Sequence, residues 1–231
     1  MQANRRSFVA GALAACMVAG GAGAPARGAT QAIRRYELFR GADPIGRQTV
    51  TVSRSESRVT VDVEVEIAVR IVGVPVYRYR LSSREVWDGG RLTALEATTD
   101  DNGSQQSASA TRGPNGLAVK GSGYSGIVDG NPGTTTYWTP AFLQRPVWIS
   151  TQDGQPLAVS PRRGGAEAFA TPGGEVRATR WLVGGDLAEL NLFYDGSGEW
   201  VGSEFQARGD TVRIAVLDPG TALAPFWVDP A

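Results

Sequence analysis

Residues 59–87 read VTVDVEVEIAVRIVGVPVYRYRLSSREVW, and this stretch decides the fold. Over residues 59–71 every odd position is valine or isoleucine, and every even position except Ala68 is polar or charged. Such alternation predicts a β-strand with one buried face, because successive side chains of a strand point to opposite sides of the sheet. The β-branched residues strengthen the prediction, since they pack well on a pleated surface.

A second alternating run, residues 76–87, follows the turn residues Gly73-Val74-Pro75. An odd loop length places Tyr77 and Tyr79 on the valine face of the first strand. The same register sets arginines of the second strand beside carboxylates of the first. We therefore predict a long hairpin with one apolar face and, on the other, a ladder of Arg78, Arg80 and Arg84 beside Asp62, Glu64 and Glu66.

Turn signals recur along the rest of the chain, as at Asp88-Gly89-Gly90 and Asp101-Asn102-Gly103. Short spacing between such turns is typical of a meander, a sandwich or a barrel. No window shows a long helical period, and a short helical turn is expected only near residues 140–143. The predicted fold class is all-β, with a single antiparallel domain over residues 27–231 that forms an open barrel or a strongly curved meander sheet.

Residues 1–26 have the composition of an export signal. Arg5 and Arg6 precede an uncharged stretch, residues 8–23, whose many alanines and glycines make it too weakly hydrophobic for a membrane span. The arginine pair resembles a twin-arginine signal, although the lysine common after that motif is absent, which leaves the general secretory route open. We expect a periplasmic or secreted protein with no transmembrane span in the mature chain.

Two processing sites compete within this signal. Ala24-Pro25-Ala26 fits the small-x-small cleavage rule and would release a soluble chain that begins near Arg27. Leu13-Ala14-Ala15-Cys16 resembles a lipobox, which would anchor the mature chain through a lipid on Cys16. The apolar residues that follow Cys16 differ from the polar tether of a lipoprotein and favour soluble release.

The composition excludes several functional classes. The 23 lysines and arginines balance 23 aspartates and glutamates, so bulk charge gives no drive to bind nucleic acid. Histidine is absent and cysteine occurs once, which removes Ser-His-Asp and Cys-His catalysis, internal disulfides and cysteine-based metal clusters. We accordingly assign no catalytic residue, no metal site and no cofactor.

The C-terminal part of the chain predicts a three-strand meander that turns at Gly184-Gly185 and at residues 195–198. This pairing sets Glu189 between Arg180 and Glu204, and Phe193 opposite Trp200. One face is a core face, with Trp181, Val183, Leu190, Leu192, Tyr194, Val201 and Phe205. The other face is mixed, and it would either line a cavity or form a plain solvent-facing surface.

Six residues are candidates for ligand contact. Five come from the mixed face, and the sixth, Trp138, either lines a pocket or packs in the core. The five are Arg180, Glu189, Phe193, Trp200 and Glu204. Glu189 and Glu204 could also act as a carboxylate pair, since like-charge repulsion raises one pKa of such a pair, or Arg180 could neutralise them.

Several turn and aromatic motifs together resemble a family of exported bacterial proteins, domain-of-unknown-function family 6134. The resemblance covers residues 33 to 218 and implies no catalytic residue, because members have no assigned activity. At fold level it implies a likeness to the half-open β-barrels of periplasmic lipoprotein carriers. The motifs are Arg84-Glu85-Val86-Trp87-Asp88-Gly89-Gly90-Arg91-Leu92, Leu95-Glu96-Ala97, Asp101-Asn102-Gly103, Tyr137-Trp138, Gly185-Asp186-Leu187, Phe193-Tyr194-Asp195 and Gly198-Glu199-Trp200-Val201-Gly202 with Phe205.

Three functions are compatible with this sequence. The first is a binding or chaperone-like module that holds an apolar or amphipathic small molecule or lipid in a curved sheet. The second is an envelope structural or interaction protein without a cavity, whose protein partners the sequence does not identify. The third is a carboxylate-dependent hydrolase, which requires a cleft where Glu189, Asp195 and Glu204 converge.

Overall fold

The computed structural model describes residues 30–187, 189–207, 209–218 and 220–228, so the predicted export signal lies outside the described residues. The described chain forms one sheet of fifteen strands, and every pairing is antiparallel except that between β9 and β10. The strands are β1 Thr30–Arg40, β2 Asp43–Ser55, β3 Arg58–Ile71, β4 Val74–Asp88, β5 Arg91–Asp101, β6 Ser104–Gly113, β7 Gly116–Gly121, β8 Ser125–Val128, β9 Gly133–Thr134, β10 Val147–Ile149, β11 Pro156–Thr171, β12 Gly174–Gly185, β13 Leu190–Asp195, β14 Trp200–Ala207 and β15 Asp210–Asp218.

The strand order is β8-β7-β6-β5-β4-β3-β2-β1-β15-β14-β13-β12-β11-β10-β9. Within β1–β8 and within β9–β15 each strand therefore pairs with its neighbours in sequence, and β1 also pairs with β15 in the middle of the sheet. The two edge strands, β8 and β9, are consecutive in the chain but are not paired with each other. The sheet is open, as the sequence predicts, and is not closed into a barrel.

The β3/β4 hairpin has the predicted register. Val65 lies opposite Leu81 and Ile67 opposite Tyr79, so valines and tyrosines share a face. On the other face the Arg84 guanidinium lies 2.6 Å from the Asp62 carboxylate. The charge ladder is confirmed at this pair and at Arg80–Glu66 (3.6 Å), whereas Glu64 accepts a hydrogen bond from Ser82 instead.

The predicted register of the C-terminal meander is wrong. Arg180 pairs with Phe193 rather than Glu189, and Glu204 pairs with Asn191. The reason is that β12 continues through Gly185, and the chain turns only before Glu189, which adopts a left-handed φ of 68°. Gly184 and Gly185, which the sequence pattern places in a turn, therefore form the end of β12.

A β-bulge moves Trp200 to the core. The register between β13 and β14 shifts after Phe193, so that Trp200 lies opposite Tyr194 and not Phe193. Trp200 is fully buried, and its ring lies 4.3 Å from that of Tyr36. An extra residue on one strand reverses the sides of the residues beyond it, which is why the predicted mixed face does not include Trp200.

The opposite face of the meander is also packed locally. The register between β11 and β12 shifts between Arg163 and Ala166. In the part of β11 after this shift, the side chain of Phe169 packs on the face of the sheet that carries Phe193. Phe169 stacks on Phe193 with ring centroids 4.3 Å apart. Gly202 leaves room for this contact, since a Cβ there would lie 2.5 Å from the Phe169 ring.

The segment between β9 and β11 packs against one end of the curved sheet. It contains the 3-10 helix Pro140–Gln144, where the helical turn was expected, and the Thr139 side chain caps that helix. Trp138, Phe142 and Trp148 of this segment are buried, and Phe142 contacts Trp87 of β4 at 5.2 Å between ring centroids. This aromatic packing fills the end of the sheet that lies away from the β3/β4 turn.

Candidate functional site

A cavity of about 640 Å³ lies on the concave face of the sheet. One wall comes from β2, β3 and β4, and the other from β13, β14 and β15. Aliphatic and aromatic side chains dominate both walls, among them Val63, Val65, Ile67, Leu190, Phe205 and Ile214. The strict alternation of β3 explains one wall, since every odd-numbered side chain points to the same face.

Several wall residues are only partly covered. Val65 and Ile67 are partly exposed, whereas Val61, four residues before Val65 on the same face, is fully buried. The apolar face of the β3/β4 hairpin is therefore packed at one end of the sheet and open at the other. Apolar side chains that remain uncovered inside a concave surface can gain free energy by burying an apolar ligand.

Tyrosines form the floor of the cavity. Tyr137 adopts a left-handed φ of 58° and its carbonyl accepts a hydrogen bond from the Tyr194 hydroxyl at 3.0 Å. The Tyr79 hydroxyl donates to the Gln152 side-chain oxygen at 3.2 Å. Burial raises the pKa of Tyr79 and of Tyr137 above the usual range, so both phenols stay neutral.

Polar side chains border the cavity near the ends of β1, β5, β12 and β14 and at the start of β15. Arg40 lies 3.9 Å from Asp210, and both residues line the cavity. Asp101, Asp186 and Gln206 also contribute to the lining. An apolar chamber with a few polar groups at its border is suited to a molecule that has an apolar body and a polar end.

The two predicted tryptophans pack in the interior and do not line this cavity. Trp138 and Trp200 are both fully buried. The Trp138 indole donates to Glu85 at 3.3 Å, and Trp200 packs between Tyr36 and Tyr137. Phe193 is also buried, on the opposite face of the sheet, against Phe169.

The three predicted charged residues lie outside the cavity as well. Arg180 lies 3.9 Å from Glu167, and Glu204 pairs across the sheet with Arg213. Glu189 and Glu204 border a separate open depression beside Arg162 and Asn191. That depression lies outside the concave chamber, so none of the six candidates lines the chamber.

No carboxylate cleft forms from the residues proposed for hydrolysis. Asp195 lies at the far end of β13 from Glu189, and its carboxylate accepts hydrogen bonds from the amides of Ser197 and Glu199 at 2.9 and 3.0 Å. Because β13 separates Asp195 from Glu189 and Glu204, these three groups do not converge. Within the described part of the chain, no cluster of three or more His, Cys, Asp or Glu residues is arranged to hold a metal ion.

Glu85 is a buried carboxyl that sequence reasoning overlooked. It is fully inaccessible and accepts hydrogen bonds from the Trp87 indole at 2.8 Å and the Thr136 hydroxyl at 2.9 Å, in addition to that from Trp138. Loss of hydration raises its pKa above the usual carboxyl value. These bonds tie β4 to the segment after β9, so the carboxyl has a structural role beneath the cavity floor.

Arg145 lies on the same packed end of the sheet. It donates to the carbonyls of Pro132 and Gly90 at 3.0 and 3.1 Å, and its guanidinium lies 5.0 Å from the centre of the Trp87 ring. Desolvation lowers the pKa of Arg145 to about 10, which leaves it charged at neutral pH. The donors reach backbone carbonyls, so this cation also holds the packed segment in place.

The sequence contained a signal for the cavity wall that pattern analysis did not use. The predicted apolar face of the hairpin includes Val65, Ile67, Tyr77 and Tyr79, and all four line the cavity. Periodicity identifies the face but not what lies across from it. The opposite wall, from β13 to β15, approaches only through the β1/β15 pairing, which no local pattern reveals.

A strongly curved, open antiparallel sheet around an apolar chamber defines a half-open β-barrel. The sequence profile of a domain of unknown function, DUF6134, matches residues 36–216, and the chain belongs to this family. No curated protein matches the sequence. Over the described residues, no helix is both long enough and apolar enough to cross a membrane.

A solved structure supports the architecture. The chain is similar to the crystal structure of a β-barrel-like protein of domain of unknown function DUF1849 from Brucella abortus, with a TM-score of 0.54 and 12% identity. The match covers 81% of this chain and 95% of the other. At this identity the likeness concerns the fold alone.

Proposed function

We propose that the protein is an exported binding or chaperone-like module that holds an apolar or amphipathic molecule, such as a lipid, in the concave cavity. The observation that carries this proposal is the chamber of about 640 Å³ with partly uncovered aliphatic walls and polar residues at its border. Cavities of about 300–1,000 Å³ with mainly apolar walls are typical of small-molecule sites.

The two other functions have less support. A structural protein without a cavity would fill the concave face with its own side chains, but Val65 and Ile67 remain partly exposed there. A carboxylate-dependent hydrolase requires a cleft where Glu189, Asp195 and Glu204 converge, but Asp195 lies at the far end of β13 from the depression that Glu189 and Glu204 border. Neither wall of the chamber carries a paired set of glutamates.

Filling the chamber provides a direct test. Val65→Trp places an indole in the cavity, and we expect it to lower the affinity for the apolar fluorescent probe N-phenyl-1-naphthylamine by at least about tenfold, because the probe loses apolar contact area. The matched control is Glu64→Trp, one residue away on the outer face, which should leave probe affinity unchanged.

Native mass spectrometry of the purified protein supplies a second measurement. We expect an adduct with the mass of a lipid or another apolar molecule, and less of this adduct in Val65→Trp. Equal probe binding by wild type, Val65→Trp and Glu64→Trp would contradict the proposal, because binding would then occur outside the chamber.

Export is supported by the arginine pair and the uncharged stretch of residues 8–23. Replacing Arg5 and Arg6 by lysine should trap the precursor in the cytoplasm if the twin-arginine route is used, and cell fractionation measures this. Unchanged export would indicate the general secretory route. Labelling of the mature chain by a palmitate analogue would show a lipid on Cys16 rather than release near Arg27.

A further inference from the structure

The β3/β4 hairpin extends beyond the hydrogen-bonded ladders that join it to β2 and β5. β2 last pairs with β3 at Ile67, and β5 last pairs with β4 at Tyr79. Beyond these points four register pairs connect β3 to β4, while β2 continues to Asp43 without pairing with β3, and the Asn102 amide still donates to the Arg78 carbonyl at 2.8 Å. At about 3.3 Å per residue these four pairs extend roughly 13 Å past the last pairs that join the hairpin to β2 and β5. We call residues 70–78 the hairpin tip.

The hairpin tip exposes apolar side chains to an unusual degree. Val72, Val74 and Val76 are 97%, 61% and 48% exposed. Among the described residues only one other large apolar side chain, Ile127, is exposed to a similar extent. Single exposed apolar residues are common on proteins, but three within five residues at the end of a projecting hairpin form a patch of the kind that marks an interaction site.

The backbone at the tip is strained. Val72 adopts a φ of +48°, a left-handed conformation that β-branched residues rarely accept. Asparagine or glycine would fit this position without strain and without exposing an apolar side chain. Valine there costs stability in the isolated protein, and such strain clusters where a segment has a function.

The charge around the tip is positive. Residues 67–84 contain four arginines and no aspartate or glutamate. Arg80 and Arg84 pair with Glu66 and Asp62, whereas Arg70 and Arg78 make no ion pair with any described residue. The two unpaired arginines flank the exposed valines, a combination that suits the anionic headgroups and apolar interior of a lipid surface.

Asp101, an acidic residue that borders the cavity, lies farther from the end of the hairpin than the exposed Val72 and Val74 do. Asp101 is paired with Tyr79, at the level where the neighbouring strand ends. The end of the tip, at Val72 and Gly73, lies roughly 13 Å beyond that level, which exceeds the Debye length of about 8 Å at physiological ionic strength, whereas Arg78 lies one residue beyond it. An anionic surface that meets the end of the tip is therefore largely screened from Asp101.

The tip is continuous with the cavity. Val69, Val76 and Tyr77 line the chamber, while Val72 and Val74 face outward at the end of the same hairpin. An apolar molecule that left a lipid surface beside the tip would thus meet apolar side chains along its path into the chamber. A protein partner would find the same valines, but the flanking Arg70 and Arg78, which make no ion pair with a described residue, favour the anionic lipid surface.

We propose that the hairpin tip inserts its valines into an anionic lipid surface, with Arg70 and Arg78 contacting the headgroups, so that the cavity opens beside the membrane. This proposal adds a membrane contact to the proposed binding function. Only the transfer of a ligand from the membrane to the cavity depends on that function. The lipid contact itself concerns residues that are separate from the chamber walls at Val65 and Ile67.

Vesicle flotation tests the lipid contact. Protein purified after export, with its N-terminus determined by mass spectrometry, is mixed with vesicles of phosphatidylcholine alone or with phosphatidylglycerol added. We expect flotation with the phosphatidylglycerol vesicles only. Val72→Asn should lower the partition coefficient about tenfold, because one valine side chain is no longer buried. Asparagine tolerates the left-handed conformation, so this variant should melt no lower than wild type.

Two further variants separate the apolar and electrostatic contributions. Arg78→Gln should lower partitioning about fivefold, and added salt should reduce this difference. Ile127→Asn, which alters the other exposed apolar residue on β8, should partition as wild type does. Hydrogen exchange should show protection of the peptide that covers residues 70–78 with anionic vesicles, which localises the contact independently of the N-terminal segment.

The outcomes distinguish this proposal from the proposed cavity function. Val72→Asn should retain wild-type affinity for N-phenyl-1-naphthylamine in solution, and Val65→Trp should retain vesicle binding. The lipid contact is overturned if wild type does not float with anionic vesicles, if Val72→Asn floats as wild type does, or if residues 70–78 gain no protection. Absent flotation or absent protection would leave the tip for a protein partner, and unchanged flotation of Val72→Asn would place the lipid contact elsewhere; the probe-binding result for the cavity would be unaffected in each case.

Discussion

Arg34 of β1 and Glu199, in the turn before β14, form a buried ion pair across 165 positions of sequence. Their side chains are only 4% and 6% exposed. The other carboxylate oxygen of Glu199 accepts a hydrogen bond from the Ala224 amide at 2.8 Å. One carboxylate therefore connects β1, the β13/β14 turn and the segment after β15.

Removing one partner of this pair should be strongly destabilising. Arg34→Met leaves the Glu199 charge buried without its cation, and we expect the free energy of unfolding to fall by about 3–5 kcal/mol. Urea denaturation measures the loss. Glu199→Gln added to Arg34→Met should recover part of it, because the uncompensated charge is then absent.

An exposed ion pair serves as the control. Asp62→Asn removes the partner of Arg84, whose side chain is 66% exposed, and should cost less than about 1 kcal/mol. Similar losses for Arg34→Met and Asp62→Asn would contradict the importance that we assign to burial.

A comparison of Trp200 and Leu192 tests the bulge between β13 and β14. A mixed-face position for Trp200 would make Trp200→Ala mild, but the structure buries this ring between Tyr36 and Tyr137. We expect losses of about 3–5 kcal/mol for Trp200→Ala and about 2–5 kcal/mol for Leu192→Ala, by urea denaturation. If Trp200→Ala lowered the free energy of unfolding only slightly while Leu192→Ala lowered it strongly, Trp200 would lie on the mixed face and not in the core.

The pH dependence of stability should reveal the buried carboxyl of Glu85. Its pKa is raised above 4.5, so the folded protein keeps a proton that the unfolded chain releases. The Glu85 contribution to stability is therefore full below pH 4.5 and declines as pH rises towards the raised pKa. Glu85→Gln retains an oxygen that accepts from both indoles and should lack this decline.

Urea denaturation from about pH 4 to pH 7 measures the effect. The difference in free energy of unfolding, Glu85→Gln minus wild type, should grow with pH. A constant difference over this range would mean that Glu85 has the same pKa in the folded and unfolded chains.

Gly202 and Gly165 form a matched pair for the contact beneath Phe169. A Cβ at Gly202 would lie 2.2 Å from the carbonyl oxygen of Ile214 and 2.5 Å from the Phe169 ring, whereas Gly165 faces open space. We expect Gly202→Ala to lower the free energy of unfolding by about 1–3 kcal/mol through overpacking. Gly165→Ala should be neutral or slightly stabilising, and thermal denaturation compares the two.

The sequence predicts the β3/β4 hairpin in detail because the information there is local. Strict alternation and an odd number of residues between paired positions determine the shared face of Ile67 and Tyr79. The turn itself falls at residues 72–73 rather than at the predicted residues 73–75, and a bulge between Val69 and Arg70 supplies the odd number that sets Asp62 opposite Arg84. Nothing distant is needed to position these residues.

The same reasoning fails for the C-terminal meander, because the positions of its turn and its bulge are not determined by local pattern. Glycine at 184 and 185 suits both a turn and a strand end, and Glu189 takes a backbone conformation that glycine more often adopts. The alternation of apolar and polar residues does not indicate the bulge beside Trp200, so the face on which Trp200 lies could not be predicted from it. The cavity needs two walls brought together by the β1/β15 pairing, so local pattern identifies one wall and cannot assign its function.

The pairing of β1 with β15 also determines how this chain is ordered in space. The edge strands β8 and β9 are joined by a few residues, while the first and last strands meet at the centre. In a circular permutant that linked the last strand to the first, and opened between β8 and β9, every strand of the sheet would pair with the strands next to it in sequence. In the natural order, β1–β8 and β9–β15 each form a half-sheet from strands that are close in sequence. The two half-sheets are joined only by the β1/β15 pairing, a contact between residues far apart in sequence, which is the kind of contact that slows folding.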